Sequence, residues 1–374
     1  MIIKNGLVLH GHSNTFEATS LAMQHGIITG FEDNGDNDVL DATGLYVLPG
    51  MIDTHIHGFV GVEFAQPDGG FDKAREVLAR DGTTGFAATV RCMALEDMLA
   101  CDRNAAKQAR TPAAGAKVLG IHNEGPFVSY KRTGAMQPPT IDCSVDAAAA
   151  MIEAGDGFLK LVTIAPERDG APDMIAHFTK HGVNASMGHT DATYDEAVAG
   201  IHAGAHRATH VFNAMRPLSH RETGILGAAL TDDRVCCELI ADFVHLDPAA
   251  VQLVYRAKGA DRITLISDAG AQSGLPNGDY MVGGRVRHVR DGLCLNDDGV
   301  ICGSCYSMLK GAQNLRSLGI SLEEIAVMAS YNPAKALGVF DRTGSLDIGK
   351  AADVIVCDDT LNIRAVFADG KRVI

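Results

Sequence analysis

The chain has 374 residues, of which 46% are hydrophobic and 21% charged, a balance that suits a large domain with an accessory unit and a sizeable core. Its net charge of −14, from 32 basic and 46 acidic residues, comes without any Lys/Arg-rich block and argues against nucleic acid as a partner. No run of 18 apolar residues predicts a membrane span, and nine scattered cysteines argue against a secreted disulfide scaffold.

The opening MIIKNGLVLH carries Lys4 but no following apolar block and cleavage site, so a cytoplasmic location is expected. Residues 1–49 hold the short strand candidates IIKNGLVLH, GIITGFED and VLDATGLYV, broken by Gly, Asn and Asp. Between about residues 46 and 270 the strand candidates are YVLPGMIDTHIH, TTGFAATV, KVLGIHNEG, LKLVTIAP, VNASMGH, RATHVFN, VCCELIADFVH and RITLISDA. Segments such as FDKAREVLARD, APDMIAHFTKHG, DEAVAGIHAG and DPAAVQLVYRAKG lie between them and repeat apolar residues at three- and four-residue intervals. This alternation predicts parallel strands covered by helices, closing as a (β/α)8 barrel of the TIM type over residues 50–337. A doubly wound open sheet is the runner-up, weakened because no GxGxxG follows the first strand.

Further on, CGSC at Cys302–Cys305 has no thioredoxin-like surroundings and no further thiolates or histidines at zinc-site spacing. Ordinary loop or buried thiols are expected there. The chain finishes in IRAVFADGKRVI, where Asp369-Gly370 is a hairpin signal. Residues 1–49 and 338–374 together predict a small β-sandwich built from both termini.

Polar residues recur at the ends of the barrel strands. His55 and His57 end the first, Glu124 the third, His189 the fifth, His210 the sixth and Asp268 the eighth. Alternate residues of a strand face the same way, so the spacing of His55 and His57 lets both address one ion. In a barrel the remaining four converge on the same rim. Imidazole and carboxylate ligands suit a divalent metal, with zinc first and iron, manganese or cobalt as alternatives. Such an ion makes water nucleophilic near neutral pH and polarises a carbonyl. Asp268 is then the candidate to accept the water's proton and return it to a leaving nitrogen.

The stretches PGMIDTHIHG, HNEGPF, GHTDATYDEA, ATHVFNAMRPLSHRETG, LISDA and NPAKALGVFDRTGSLDIGKAADVIV resemble the N-acetylglucosamine-6-phosphate deacetylases of the amidohydrolase superfamily. HxH marks only the broad class, whereas HVFNAM followed by HRETG is specific to this branch. The resemblance implies hydrolysis of N-acetylglucosamine 6-phosphate to glucosamine 6-phosphate and acetate by a metal-dependent enzyme, commonly a homodimer. It implies metal ligation by Glu124, His189 and His210, with His55 and His57 able to hold a second ion, and catalysis by Asp268. Asn213, Ala214 and His245 match substrate contacts, and Arg221 matches a phosphate-binding arginine supplied by the neighbouring subunit. Lys131 and Arg132 are candidates for a basic rim, with a solvated loop an equal alternative.

Two positions depart from the pattern. Met136 stands where members of that family commonly carry a histidine that contacts the amide carbonyl, and methionine cannot donate that hydrogen bond. Phe243 stands where relatives usually carry glycine, and its bulk is expected to narrow the sugar pocket. Deacylation of another N-acyl amino sugar phosphate, or of another N-acylated small molecule, is therefore the alternative substrate reading. A metal-binding scaffold without turnover is the non-enzymatic one.

Overall fold

The computed structural model describes residues 1–11, 13–32, 35, 38–139 and 141–374. Eight strands form one parallel sheet whose spatial order follows the chain: β1 (Met51–Ile56), β2 (Thr83–Val90), β3 (Lys117–Glu124), β4 (Leu159–Ile164), β5 (Asn184–Met187), β6 (Arg207–Ala208), β7 (Cys236–Ile240) and β8 (Ile263–Ile266). A doubly wound sheet would reverse its order partway; this one does not. The ring is completed between β8 and β1. Asp268 N donates to His55 O at 2.9 Å, His57 N donates to Ala269 O at 2.8 Å, and Ser267 Oγ donates to the buried Asp53 carboxylate at 2.5 Å. The contacts that close the barrel therefore also set Asp268 beside the HxH pair.

Helices α1 (Asp72–Arg80), α2 (Leu95–Arg110), α3 (Val145–Gly155), α4 (Ala171–Lys180), α5 (Tyr194–Ala203), α6 (Gly224–Thr231), α7 (Pro248–Lys258) and α8 (Met308–Ser317) follow the eight strands in turn. Their apolar stripes pack on the outside of the barrel. In α1 the stripe is Ala74, Leu78 and Ala79; in α4 it is Ala171, Met174, Ile175 and Phe178. α5 begins with a capping box in which Thr193 and Glu196 satisfy each other's backbone N–H groups. No helix among the described residues is long and apolar enough to cross a membrane.

Both chain ends build a second sheet with its own apolar core around Ile3, Val8, Leu21, Val47, Val354 and Phe367. The candidate YVLPGMIDTHIH proves to be two strands. Tyr46–Pro49 pairs antiparallel with Val354–Cys357 in this terminal sheet, and β1 starts after Gly50. A Cβ on Gly50 would collide with Thr84 Oγ1, so the crossing point has no room for a side chain. Asp369-Gly370 forms the expected turn, with φ of 46° and 70°. The candidate GIITGFED yields a strand over Ile27–Gly30, and its last residue, Asp33, lies outside the described residues. Lys117 at the foot of β3 bridges to Asp353 at 2.7 Å and Asp369 at 2.6 Å, tying barrel to terminal sheet.

One element has no counterpart in the sequence reading. Between β8 and α8 the chain inserts an antiparallel three-stranded sheet, Gly278–Val282, Arg285–Arg290 and Leu293–Leu295. It leans over the C-terminal mouth of the barrel.

Candidate metal centre and substrate cavity

The C-terminal strand ends bring His55, His57, Glu124, His189, His210 and Asp268 together. Glu124 sits at the centre. Its Oε1 lies 3.2 Å from His189 Nε2, 3.0 Å from His210 Nε2 and 3.3 Å from His55 Nε2; its Oε2 lies 3.1 Å from His57 Nε2. Asp268 Oδ1 lies 3.4 Å from His55 Nε2 and 3.3 Å from His57 Nε2. Two ligand triangles result, Glu124–His189–His210 and His55–His57–Asp268.

Their dimensions suit metal ions. Bonds of about 2.0–2.1 Å in a tetrahedral site place neighbouring ligand atoms roughly 3.3 Å apart. The Nε2–Nε2 separation of His189 and His210 is 3.1 Å. Buried His55 Nε2 has no hydrogen-bond partner, as befits a lone pair aimed at an ion. Two of the opposite ring nitrogens are arranged to the same end. His55 Nδ1 donates to Glu238 Oε2 at 3.0 Å, and His189 Nδ1 donates to Arg132 O at 3.0 Å, leaving each Nε2 free to ligate.

Local backbone conformation serves this convergence. His189, His210, Phe212, Ala214, Phe243 and Asp268 all have positive φ, from 28° to 74°. Side chains rarely adopt that region, and such strain gathers at functional sites. Gly188 lets β5 and β6 close up, because a Cβ there would lie 2.5 Å from Thr209 Cβ. Behind Glu124, Asn123 Nδ2 donates to the buried Asp102 of α2 at 2.8 Å and pins the end of β3.

Electrostatics follow from crowding these groups out of water. Burial alone would raise the Glu124 carboxyl, yet His55, His189 and His210 hold it well below the ordinary carboxylate range. Burial likewise opposes ionisation of Asp268, but His55 and His57 bring it down to about 2. Burial lowers His57, and the Asp268 and Glu124 carboxylates outweigh it, raising the imidazole to about 9. The cluster stores protons that an ion would displace.

Below the metal-type cluster, the barrel interior is polar. His122 Nε2 lies 2.9 Å from Thr163 Oγ1, which continues through Thr209 to Ser186. Arg207 faces Glu238 at 3.6 Å and Thr264 at 3.1 Å. The sequence reading missed Glu238 and His122. A signal existed for both: Glu238 is the one charged residue of CCELI, and His122 shares a strand face with Glu124.

A cavity of about 470 Å³ opens above the cluster, and His57, Glu124, His189, His210 and Asp268 form its floor. Met136, Asn213, Ala214 and His245 line it, as expected of a substrate site. His245 Nδ1 donates to Asp242 Oδ2 at 2.8 Å, and Asp242 Oδ1 also accepts the backbone N–H groups of Val244 and His245, so the ring is rigidly presented. Arg221 is exposed and lies outside this chain's cavity.

Two expectations need correction. Phe243 does not line the cavity; its positive φ turns the ring against the main core. Lys131 and Arg132 form no basic rim, because both turn to Asp191, at 3.5 Å and 2.8 Å. The CGSC thiols are loop and buried thiols, as expected: Cys302 reaches the cavity, while Cys305 is buried with Cys294.

A (β/α)8 barrel with paired imidazole–carboxylate triangles at its C-terminal mouth defines the class of metal-dependent hydrolases. Within it, residues 46–373 match the amidohydrolase family, and the chain belongs to that family. It is 40% identical over 333 residues to the N-acetylglucosamine-6-phosphate deacetylase of Bacillus subtilis, covering 87% of this chain and 84% of that protein. It is 35% identical over 330 residues to the N-acetylgalactosamine-6-phosphate deacetylase of Escherichia coli O157:H7, covering 87% of each. Among solved structures, a mutant N-acetyl-D-glucosamine-6-phosphate deacetylase from Mycobacterium smegmatis in complex with N-acetyl-D-glucosamine-6-phosphate superposes with a TM-score of 0.92 at 34% identity, covering 100% of this chain and 99% of that one.

Proposed function

We propose that the chain deacetylates N-acetylglucosamine 6-phosphate, releasing glucosamine 6-phosphate and acetate. The observation that carries this reading is the placement of Asp268. Its carboxylate stands 3.3 Å from His57 and 3.4 Å from His55, ionised, on the floor of a cavity sized for a phosphorylated sugar.

Glu124, His189 and His210 would hold one divalent ion, with zinc the best match to the donor set, and His55 with His57 and Asp268 a second. When bound, the metal supplies Lewis acidity that lowers the pKa of water and polarises the acetyl carbonyl. Asp268 takes the proton from the attacking water and delivers it to the amide nitrogen as the C–N bond breaks, which lets the amine leave neutral. Asn213, Ala214 and His245 orient the sugar. Arg221 acts in the cavity of a neighbouring subunit of a homodimer, a role supported by its exposure and by its not lining its own cavity. Residues 1–49 and 338–374 form the accessory unit of a cytoplasmic enzyme whose barrel spans 50–337.

Acetate release from N-acetylglucosamine 6-phosphate, N-acetylgalactosamine 6-phosphate and unphosphorylated N-acetylglucosamine tests the proposal. The first should be turned over with the highest kcat/KM. Absence of turnover with either phosphorylated sugar rejects it, and preference for the galactose epimer shifts the assignment to the second relative's substrate.

A further inference from the structure

The inserted sheet gives the cavity a second charged wall. Side chains alternate along a strand, so Arg285, Arg287 and Val289 share one face, and Val286 and His288 the other. Val289 identifies the inward face: it is 2% exposed and packs with Cys294 and Cys305. His288 points outward, where it meets Asp279 at 3.0 Å and Asp297 at 2.9 Å. Arg285 and Arg287 thus occupy inward positions that an amphipathic strand ordinarily gives to apolar residues, and both line the cavity.

The hairpin is anchored so as to keep them there. Gly283 N donates to Glu63 Oε2 at 3.2 Å, and Glu63 Oε1 accepts from Arg91 Nε at 2.8 Å. Glu63 is therefore already neutralised by Arg91. Among the described residues, no carboxylate stands within ion-pair distance of Arg285 or Arg287. Arg287 Nη1 is shielded from water and makes no hydrogen bond. An unpaired, buried guanidinium N–H is costly unless a ligand satisfies it; Arg287 carries one, and half-buried Arg285 stands beside it in the cavity, also without a carboxylate partner.

We propose that Arg285 and Arg287 form a phosphate-binding subsite that the chain supplies to its own cavity, gripping the phosphate monoester of the substrate. The planar guanidinium fork matches phosphate oxygens through paired, charge-assisted hydrogen bonds. The proposal rests on the phosphorylated-sugar reading above. It goes further by placing an anchor on the inserted sheet, independent of Arg221 from another subunit. A phosphate monoester has three terminal oxygens, enough for both sources.

The test uses the metal-loaded protein and two probes without an amide, glucose 6-phosphate and glucose, in calorimetric titrations. Arg287→Gln and the double variant Arg285→Gln/Arg287→Gln should weaken glucose 6-phosphate binding by about tenfold or more, as loss of charge-assisted hydrogen bonds implies. Arg287→Lys should recover part of it, since lysine keeps the charge and loses the fork. KM for N-acetylglucosamine 6-phosphate should rise in parallel, with a much smaller fall in kcat. Unchanged affinity and KM in variants that retain metal content and thermal stability overturn the subsite, as does a wild-type protein that binds the two probes equally. If the double variant fails to fold, the two Arg287 variants decide. Failure of the deacetylase reading looks different: glucose 6-phosphate binding depends on these arginines, yet no phosphorylated N-acetyl sugar releases acetate.

Discussion

His55 Nδ1 lies 3.0 Å from Glu238 Oε2, and both side chains are fully buried. The carboxylate can only accept, so the imidazole proton is fixed on Nδ1 and Nε2 faces Glu124 and Asp268. Glu238 in turn faces Arg207, so a chain of charges beneath the floor orients the first histidine of the HxH pair. Glu238→Gln keeps the shape and loses the charge. Metal affinity should fall by about 10- to 100-fold, as for other partners of ligating histidines. Leaving Arg207 unpaired should also lower stability by about 3 kcal/mol or more. Competition against a graded chelator, with a thermal melt on the same sample, measures both; unaltered metal affinity would remove Glu238 from this role.

The proton store at the cluster predicts how metal binding responds to pH. His57, raised from 6.5 to about 9, must be neutral to ligate. Below that pH an ion must expel its proton, so affinity should climb by about tenfold per pH unit for each proton displaced, then level off above pH 9. The metal-free fold responds in the opposite sense. A raised histidine pKa contributes stability that is fully present below about 6.5 and is lost as the pH rises through about 9. Zinc titrated into metal-free protein at pH 7 in weak buffer should release protons, and a constant pH would contradict the assignment.

Asp268→Asn tests proton transfer apart from ion binding at the Glu124–His189–His210 triangle. The amide can neither accept the water's proton nor return it, so kcat should fall by about 10²- to 10⁴-fold. Glu124, His189 and His210 are untouched and should still retain an ion. Elemental analysis beside steady-state kinetics separates the effects. Turnover within a few-fold of wild type would mean that another base does the work.

Met136 lines the cavity without a donor of its own. If the acetyl carbonyl rests against it, Met136→His should raise kcat/KM for N-acetylglucosamine 6-phosphate by about tenfold, the worth of one good hydrogen bond. A fall, with improved turnover of no other acyl group, would place the carbonyl elsewhere.

What was legible in the sequence was whatever repeats or ends a repeat. The strand candidates carried the barrel, and the polar residues at their ends, from His55 through Asp268, carried the cluster. Glu238 escaped because it sits at the middle of a five-residue apolar strand rather than at its end. Arg285 and Arg287 escaped because RVRHVR, taken alone, does not reveal which face turns inward; Val289 settles that only once the insertion is folded. Phe243 was misjudged because a position between two strand-end residues does not disclose its positive φ, and that angle sends the ring away from the sugar.

The crossing at Gly50 couples the ends of the polypeptide to the chemistry. Pro49 pairs with Val354 and Met51 with Thr83, so one residue separates the last rung of the terminal sheet from the strand that delivers His55 and His57. Deleting residues after Val354 would strip Tyr46–Pro49 of its partner and loosen the root of β1. A short C-terminal truncation far from the cavity in sequence should therefore register first as a weakened hold on metal, before the barrel itself melts.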